Sequence, residues 1–86
     1  MIIQTTKSFD KQYVRLSVFH KQRFKKRLAL FRENPYDRVL RNHGLKGKYL
    51  GYRSIDVTGD VRALYRMVED RVVIFAFVGT HGQLYG

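Results

Sequence analysis

The last third of the chain carries its clearest pattern of apolar and polar positions. Residues 61–68 are rich in β-branched and aromatic side chains, and Val72–Val78 is an almost unbroken apolar run of strand length. A polar turn separates the two segments, so the pattern predicts a hairpin whose strands are central in a sheet. The apolar character stops at Gly79, and His81 and Tyr85 follow it. The hairpin is therefore expected to deliver polar side chains to one edge of the sheet on a rigid support.

Two helical patterns precede this hairpin. Ile2–Thr6 is short and β-prone, which predicts a first strand, and Ser8 is a suitable N-cap for the helix that follows. Apolar residues then recur at helical spacing, which predicts one helix from Phe9 to about Val18 and a second from about Phe19 to Glu33. The two apolar stripes are Phe9, Tyr13 and Leu16 on the first helix and Phe24, Leu28 and Phe31 on the second.

The middle of the chain completes the predicted fold. Tyr52–Val57 alternates in polarity, which predicts a half-exposed strand with Arg53, Ile55 and Val57 on one face. Residues 38–51 look like a long loop, with glycines among basic residues, but their spacing fits neither a Walker loop nor a dinucleotide fingerprint. The predicted class is α+β, in the order β-α-α-β-β-β. A helical hairpin packs on a small, largely antiparallel sheet, and the whole chain forms a single domain.

Charge is distributed unevenly along the 86 residues, whose formal net charge is +10. Residues 1–50 contain 13 Lys and Arg against 3 Asp and Glu, whereas residues 51–86 contain 4 of each class. A surplus of this size favours a polyanion or an acidic partner, although it can also serve solubility alone. We expect a basic surface beside the candidate site that binds RNA through Lys25, Lys26, Arg41, Lys46 and Lys48.

Composition also indicates where in the cell the protein is expected. The chain has no cysteine, and no apolar run reaches the roughly 18 residues that a membrane-spanning helix requires. Its first residues lack a basic region followed by a long apolar segment, so no secretion signal is visible. We expect a cytoplasmic protein that does not associate with membranes.

Two of the three histidines are placed for chemistry. His43 and His81 lie beside glycines at the margins of strand regions, whereas His20 begins a helix and is expected at the surface. An imidazole can take or give a proton near neutral pH, which suits metal-independent cleavage of RNA. A base must remove the proton of the 2′-hydroxyl, an acid must protonate the leaving 5′-oxygen, and a cation must stabilise the phosphorane. Further candidates for these roles are Asp56, Asp60, Arg62 and Tyr85.

A metal site is the competing chemical interpretation of these residues. It would be built from the two histidines and one or two aspartates. Neither an H-x-x-x-H nor an H-E-x-x-H spacing supports it. We therefore expect no metal and no other cofactor.

Three segments resemble the RelE/ParE toxin superfamily, specifically its YafQ-like branch. They are Asn42–Arg53 (N-H-G-L-x-G-x-x-x-G-Y-R), Val57–Tyr65 (V-x-x-D-x-x-x-L-Y) and Gly79–Gly86 (G-T-H-x-x-L-Y-G). The resemblance implies a β-α-α-β-β-β ribonuclease-like fold. It also implies an mRNA interferase that acts on messages engaged with the ribosome and is neutralised by a cognate antitoxin.

The resemblance also suggests roles for single residues. His43 and His81 match family histidines implicated in acid–base work, Asp60 matches the family aspartate, and Tyr85 matches a C-terminal aromatic position. Arg62 lies in a G-D-x-R-x-x-Y stretch that is similar to the broader RelE-like pattern, where the arginine is linked to phosphate binding.

The chain departs from the YafQ-like pattern at two positions. Asp56 stands where that branch has another active-site histidine, and Val61 replaces a tryptophan. A carboxylate at position 56 can act as a base or orient a histidine, but it cannot supply positive charge at neutral pH. Arg62 restores part of that charge.

Structural roles remain possible for two residues of the matching segments. Arg53, a possible supporting residue of the site, would pair with a carboxylate across the sheet, and Tyr65 would lie in the core. Two other functions also remain open, namely a ParE-like toxin that blocks a topoisomerase and a noncatalytic RNA-binding module. Neither of them needs an acid–base pair.

Overall fold

A five-stranded sheet separates two α-helices on one face from a short third helix on the other. The computed structural model describes residues 1–86. Its sheet order is β1-β5-β4-β3-β2, with β1 parallel to β5 and the other pairs antiparallel. None of the helices combines the length and apolar character needed to cross a bilayer. The elements in chain order are β1 Ile2–Thr5, α1 Lys7–Val14, α2 Val18–Glu33, β2 His43–Gly44, β3 Arg53–Asp56, β4 Val61–Glu69, β5 Val72–Thr80 and α3 His81–Tyr85.

The hairpin of β4 and β5 forms the centre of the sheet, as the sequence predicts. The β5 strand hydrogen-bonds to β1 on one side and to β4 on the other, so both of its edges are paired. It extends through Gly79 to Thr80, and the residues that follow form α3 rather than an irregular tail. The hairpin therefore leads directly into a helix that carries His81 and Tyr85.

Aromatic rings fill the space between the sheet and the two long helices. Phe75 at the centre of β5 lies within 6.0 Å of three phenylalanine rings from the helices, measured between ring centroids. The Phe31 and Tyr65 ring centroids are 4.9 Å apart in an edge-to-face arrangement. Such pairs add to the stability that burial of apolar area provides. Of the predicted stripes, Phe9, Phe24 and Phe31 are buried, and Tyr13, Leu16 and Leu28 pack against them.

The first helix begins and ends earlier than the sequence predicts. Its N-cap is Thr6 rather than Ser8, because the Thr6 hydroxyl accepts a hydrogen bond from the Phe9 amide and donates one to the Ala76 carbonyl of β5. It stops at Val14 because Ser17 caps the next helix, its hydroxyl accepting from the His20 amide.

Because Thr6 rather than Ser8 caps α1, substitution of Thr6 should destabilise the protein more than substitution of Ser8. Thr6→Ala should lower the free energy of unfolding by about 1–2 kcal/mol, because it removes both a cap and a hydrogen bond to β5. Ser8→Ala is the matched control, and its exposed position predicts a change within about 0.5 kcal/mol. Urea unfolding of the two variants measures both values. A larger loss of unfolding free energy from Ser8→Ala than from Thr6→Ala would show that Ser8 is the N-cap, as the sequence predicts.

The β3 strand is buried on both faces, so the prediction of a half-exposed strand is wrong. Ser54 and Asp56 are only 2% and 9% exposed, although both are polar and lie on the face predicted to meet solvent. Residues 38–51 explain their burial. This segment contains β2, which pairs with β3, and two 3₁₀ turns, Arg38–Leu40 and Gly47–Tyr49. The segment predicted to be a loop is therefore ordered and lies along the β3 edge of the sheet.

Candidate active site

The candidate site lies on the face of the sheet that points away from α1 and α2. Side chains alternate between the two faces of a strand. Ile55 and Ala63 face the helices, so their neighbours Asp56, Arg62 and Leu64 face the opposite side. A second, smaller core on that side brings α3 and the Gly47–Tyr49 turn onto the sheet, and its buried members are Tyr49, Leu64 and Leu84.

Strand register brings the candidate residues onto this common face. Asp56 is opposite Arg62, which in turn is opposite Gly79 just before α3 begins. His43 is opposite Ser54, whose side chain shares the face of Asp56. The register thus places His43, Asp56, Arg62 and the start of α3 in adjacent rows of one surface.

Asp56 lies between two arginines. Its Oδ1 atom is 3.0 Å from Nε of Arg62, and its Oδ2 atom is 3.6 Å from Nη1 of Arg41. The first contact joins opposite charges without a hydrogen bond, because the N–H of Arg62 does not point at Oδ1, and this buried oxygen has no hydrogen-bond donor. The carboxylate therefore attracts both guanidinium groups, but it holds Arg62 more strongly than Arg41, whose side chain is 70% exposed.

Arg62 is held from a second direction by the turn between β3 and β4. Its Nη1 donates to the carbonyl oxygens of Thr58 and Gly59 at 3.0 and 2.9 Å. The other terminal nitrogen, Nη2, makes no hydrogen bond within the protein, and the side chain is 23% exposed. Arg62 is thus a fixed cation with donors left for an anion.

The short helix α3 presents His81 and Tyr85 side by side. Their rings stack with centroids 4.8 Å apart and an interplanar angle of 28°. A capping box starts the helix, because Thr80 and Gln83 exchange hydrogen bonds between side chain and backbone. Both rings are exposed and neither side chain hydrogen-bonds to the protein, so both are available to a ligand.

The Tyr85 hydroxyl keeps its proton at neutral pH. Partial removal from water raises the pKa of Tyr85 above its ordinary value, and the Tyr49 hydroxyl adds to this rise, whereas the charge of Arg62 opposes it. Tyr85 can therefore donate a hydrogen bond or stack on a base.

The tautomer of His43 follows from its hydrogen bond. Its Nδ1 atom is 2.8 Å from the carbonyl oxygen of Arg41, and a carbonyl can only accept, so Nδ1 carries the hydrogen. In the neutral ring, Nε2 then has a lone pair and no partner within the protein. Arg41 has φ = 49°, an uncommon left-handed conformation for a residue other than glycine. His43 is thus oriented as a proton acceptor.

Asp60 lies in the exposed turn between β3 and β4, beside the carbonyl groups that hold Arg62. Its backbone amide donates to the Thr58 hydroxyl at 3.3 Å, and its carboxylate forms no ion pair or hydrogen bond. The structure therefore places Asp60 next to the cluster but not in contact with it.

Arg53 points to the other face of the sheet. Its Nε donates to the Asn42 side-chain oxygen at 2.9 Å, and its guanidinium lies over the Tyr36 ring. The carboxylate partner predicted for Arg53 is therefore wrong, and Arg53 does not join the cluster. The core position predicted for Tyr65 is confirmed, because this residue is 2% exposed and its hydroxyl accepts from Asn42.

The residues predicted to bind RNA lie on two different parts of the fold, so the prediction that Lys25 and Lys26 lie beside the site is wrong. RNA binding by these residues stays a prediction. Lys25 and Lys26 are exposed on α2, which packs Phe24 and Phe31 against the sheet face opposite the site. The sheet therefore separates these lysines from His43 and His81. Arg41, Lys46 and Lys48 instead belong to the segment that borders the site.

The cluster forms an open surface rather than a cleft. The one cavity, of about 260 Å³, lies elsewhere and is lined by Gln12, Arg15, Leu16, Val78 and Gln83. The structure contains no group of three or more His, Asp or Glu side chains that could hold a metal ion. Sequence reasoning missed Arg41 as a partner of Asp56, because that contact depends on the two-residue strand β2.

Comparison with known proteins agrees with this architecture. Residues 1–86 match the model of a family described as the bacterial toxin of type II toxin-antitoxin system, YafQ. The crystal structure of YafQ from E. coli strain BL21(DE3) is similar, with a TM-score of 0.83 and 27% identity over 98% of this chain and 97% of that chain. A chain of the E. coli DinJ-YafQ toxin-antitoxin complex gives a TM-score of 0.81 and 27% identity over 98% and 96% of the two chains.

A more distant structure shares the fold. The YoeB/ParE toxin from Agrobacterium tumefaciens has a TM-score of 0.77 and 20% identity, over 94% of this chain and 99% of that chain. The curated proteins give no match. The family and structure matches confirm both the resemblance drawn from about residues 40–86 and the predicted α+β fold class.

Proposed function

The chain belongs to the YafQ family of bacterial toxins of type II toxin-antitoxin systems, and we propose that it is a metal-independent, ribosome-dependent endoribonuclease that cuts mRNA and thereby stops translation. One observation supports this activity most strongly. An oriented proton acceptor, a fixed cation and an exposed histidine share one open face of the sheet. An open face suits an extended RNA strand better than a small molecule, which is usually enclosed.

His43 is the proposed general base. Its Nδ1 is hydrogen-bonded to the Arg41 carbonyl, so its free Nε2 can accept the proton of the 2′-hydroxyl. The resulting 2′-oxygen attacks the adjacent phosphorus, and negative charge gathers on the phosphorane oxygens. Arg62 stabilises that charge through the donors that Asp56 and the turn carbonyls leave free.

His81 is the proposed general acid. It protonates the 5′-oxygen as the bond from phosphorus to that oxygen breaks, so no free alkoxide has to leave. Tyr85 stacks against the His81 ring and holds it, while its neutral hydroxyl can donate to a phosphate oxygen. Asp60 contributes from the neighbouring turn, where its unpaired carboxylate can accept a hydrogen bond from the substrate.

Three partners accompany this activity. The substrate is mRNA on the ribosome, and the basic residues beside the site, Arg41, Lys46 and Lys48, contact its backbone. The second surface, on α2, binds ribosomal RNA. An antitoxin is the third partner, since the related YafQ of E. coli occurs in a toxin-antitoxin complex with DinJ. A net charge of +10 favours an acidic antitoxin segment that folds on binding. With these partners, the proposed location of the protein is the cytoplasm.

A cell-free translation assay tests the proposed function. The purified protein is added to an actively translated message, and primer extension maps the breaks. The proposal predicts discrete breaks that require translation and disappear when the antitoxin is added. A translated message that stays intact while protein synthesis stops would point to a noncatalytic binder, and inhibition of DNA supercoiling without RNA cleavage would point to a topoisomerase blocker.

The α2 surface gives a separate prediction about binding. Charge reversal by Lys25→Glu with Lys26→Glu should weaken ribosome association at least about tenfold, because several phosphate contacts are lost. The matched control is Lys7→Glu with Lys11→Glu, which makes the same charge change at exposed positions of α1 and should have a smaller effect. Ribosome sedimentation at about 50–200 mM salt measures the association, which should weaken steeply over this range. If ribosome association did not change with salt, the charge of the α2 surface would serve solubility rather than RNA binding.

A further inference from the structure

The glycine-containing turn Gly47–Tyr49 contacts the end of α3. The hydroxyl of Tyr49 donates to the carbonyl oxygen of Leu84 at 2.6 Å, and this hydrogen bond is buried. The ammonium group of Lys48 approaches the same oxygen at 3.4 Å and lies 5.2 Å from the centre of the Tyr49 ring. Two donors from one turn therefore meet a single carbonyl at the end of α3.

The helix α3 needs such external support. A helix of five residues cannot persist on its own, because it forms too few internal hydrogen bonds to offset the cost of nucleation. Its last carbonyl groups also have no partner within the helix. The buried side chain of Leu84 fixes the helix on the sheet, and the Tyr49 hydroxyl satisfies the carbonyl of the same residue. Together they restrict both the position and the rotation of α3.

Tyr49 also touches the side chain at the end of the helix. Its ring centroid is 5.1 Å from that of Tyr85, with the rings nearly perpendicular. The Tyr85 ring in turn stacks on His81. A continuous set of contacts therefore runs from the Tyr49 ring to the histidine, in parallel with the hydrogen bond to Leu84.

The sequence of this segment fits a supporting role. Gly47 and Gly51 have φ values of +60° and +94°, which side-chain-bearing residues rarely adopt, so these glycines permit the turn that aims Tyr49 at α3. The glycines of this segment therefore have a structural role in the turn, although their spacing fits neither a Walker loop nor a dinucleotide fingerprint. They allow the turn to contact the C-terminal helix through Tyr49.

We infer that Tyr49 is a positioning residue, whose hydroxyl anchors α3 and thereby sets the orientation of His81 and Tyr85 toward the RNA. The inference rests on the proposed function, in which these two residues contact substrate. Tyr49 itself is 6% exposed and points at a backbone carbonyl, so it acts through the helix. Orientation of this kind matters because small displacements of a catalytic group slow a reaction steeply.

Tyr49→Phe tests the inference with a minimal change. It keeps the ring contacts with Tyr85 and removes only the hydrogen bond to Leu84. We expect kcat for mRNA cleavage to fall about 10- to 100-fold while KM stays within about twofold, because the chemistry loses alignment and RNA binding does not. The control is Tyr52→Phe, which removes a hydroxyl without a hydrogen-bond partner from a neighbouring ring of the same small core. It should cleave like the wild type.

A second measurement keeps the inference separate from the proposed activity. The ring-proton NMR signals of His81 report its stacking on Tyr85, and Tyr49→Phe should shift them while Tyr52→Phe should not. Unchanged signals together with cleavage within about twofold of wild type would overturn the inference. Global unfolding of Tyr49→Phe would overturn it too, since the bond would then serve the whole fold. If the wild type did not cleave mRNA, the proposed function would fail, and the NMR shifts alone would decide whether Tyr49 positions α3.

Discussion

Replacement of His81 by alanine should lower the rate of mRNA cleavage by about 10²–10⁴-fold, the contribution of one general acid or base, and should abolish growth arrest. His81 is the first residue of α3 and is exposed, and its side chain makes no hydrogen bond within the protein. The capping box between Thr80 and Gln83 does not involve its side chain. The free energy of unfolding should therefore change by no more than about 0.5 kcal/mol.

The matched control is His20→Ala. It removes the same side chain from the start of α2, on the other side of the sheet, where His20 contacts Ser17 and Phe19. Cleavage by this variant should stay close to that of the wild type. Single-turnover cleavage and growth assays, with protein levels checked in each strain, measure both effects. Normal growth arrest by stably expressed His81→Ala protein would remove His81 from the mechanism.

Arg62→Lys should reduce cleavage at least about tenfold, even though lysine keeps the positive charge. The guanidinium of Arg62 meets the Asp56 carboxylate, two turn carbonyls and, in the proposed mechanism, a phosphate. A single ammonium group cannot span this set, because its three donors radiate from one atom. The loss should appear mainly in kcat, since Arg62 is proposed to bind the charge that develops in the transition state.

Arg66→Lys is the control for this substitution. Arg66 lies on the same strand, is exposed, and makes no ion pair or hydrogen bond through its side chain. It should cleave like the wild type. If Arg62→Lys also cleaved within about twofold of wild type, the size of an ordinary surface effect, then Arg62 would be only a charge on the strand surface.

Local sequence patterns predicted the elements that form mainly through their own residues. The apolar run Val72–Val78 specified the central strand, and the helical spacing of Phe24 and Phe31 specified the buried side of α2. Features that depend on distant parts of the chain were not predictable in this way. Thr6 became the N-cap because its hydroxyl also reaches the Ala76 carbonyl, 70 residues away. The two-residue strand β2 is too short to show any periodicity.

The candidate site was predictable in its residue types and only partly in its geometry. Alternation along β3 already separated Arg53 from Asp56, and the structure confirms that they point to opposite faces. The sequence analysis did not establish on which face of the sheet α2 packs relative to His81, so the position of Lys25 and Lys26 across the sheet from His81 needed the structure. The Arg41 contact with Asp56 likewise depends on the pairing of β2 with β3.

The central claim is that the cluster cleaves RNA by moving protons at the 2′- and 5′-oxygens. Two messages that differ only by a single 2′-deoxynucleotide, placed 5′ to a mapped cleavage site, test it most directly in a translating extract. The account predicts that the all-ribose message is cut to a 2′,3′-cyclic phosphate and a 5′-hydroxyl end, and that the deoxy-substituted message stays intact at that site. Equal cleavage of both messages, or products with a 3′-hydroxyl and a 5′-phosphate, would contradict it.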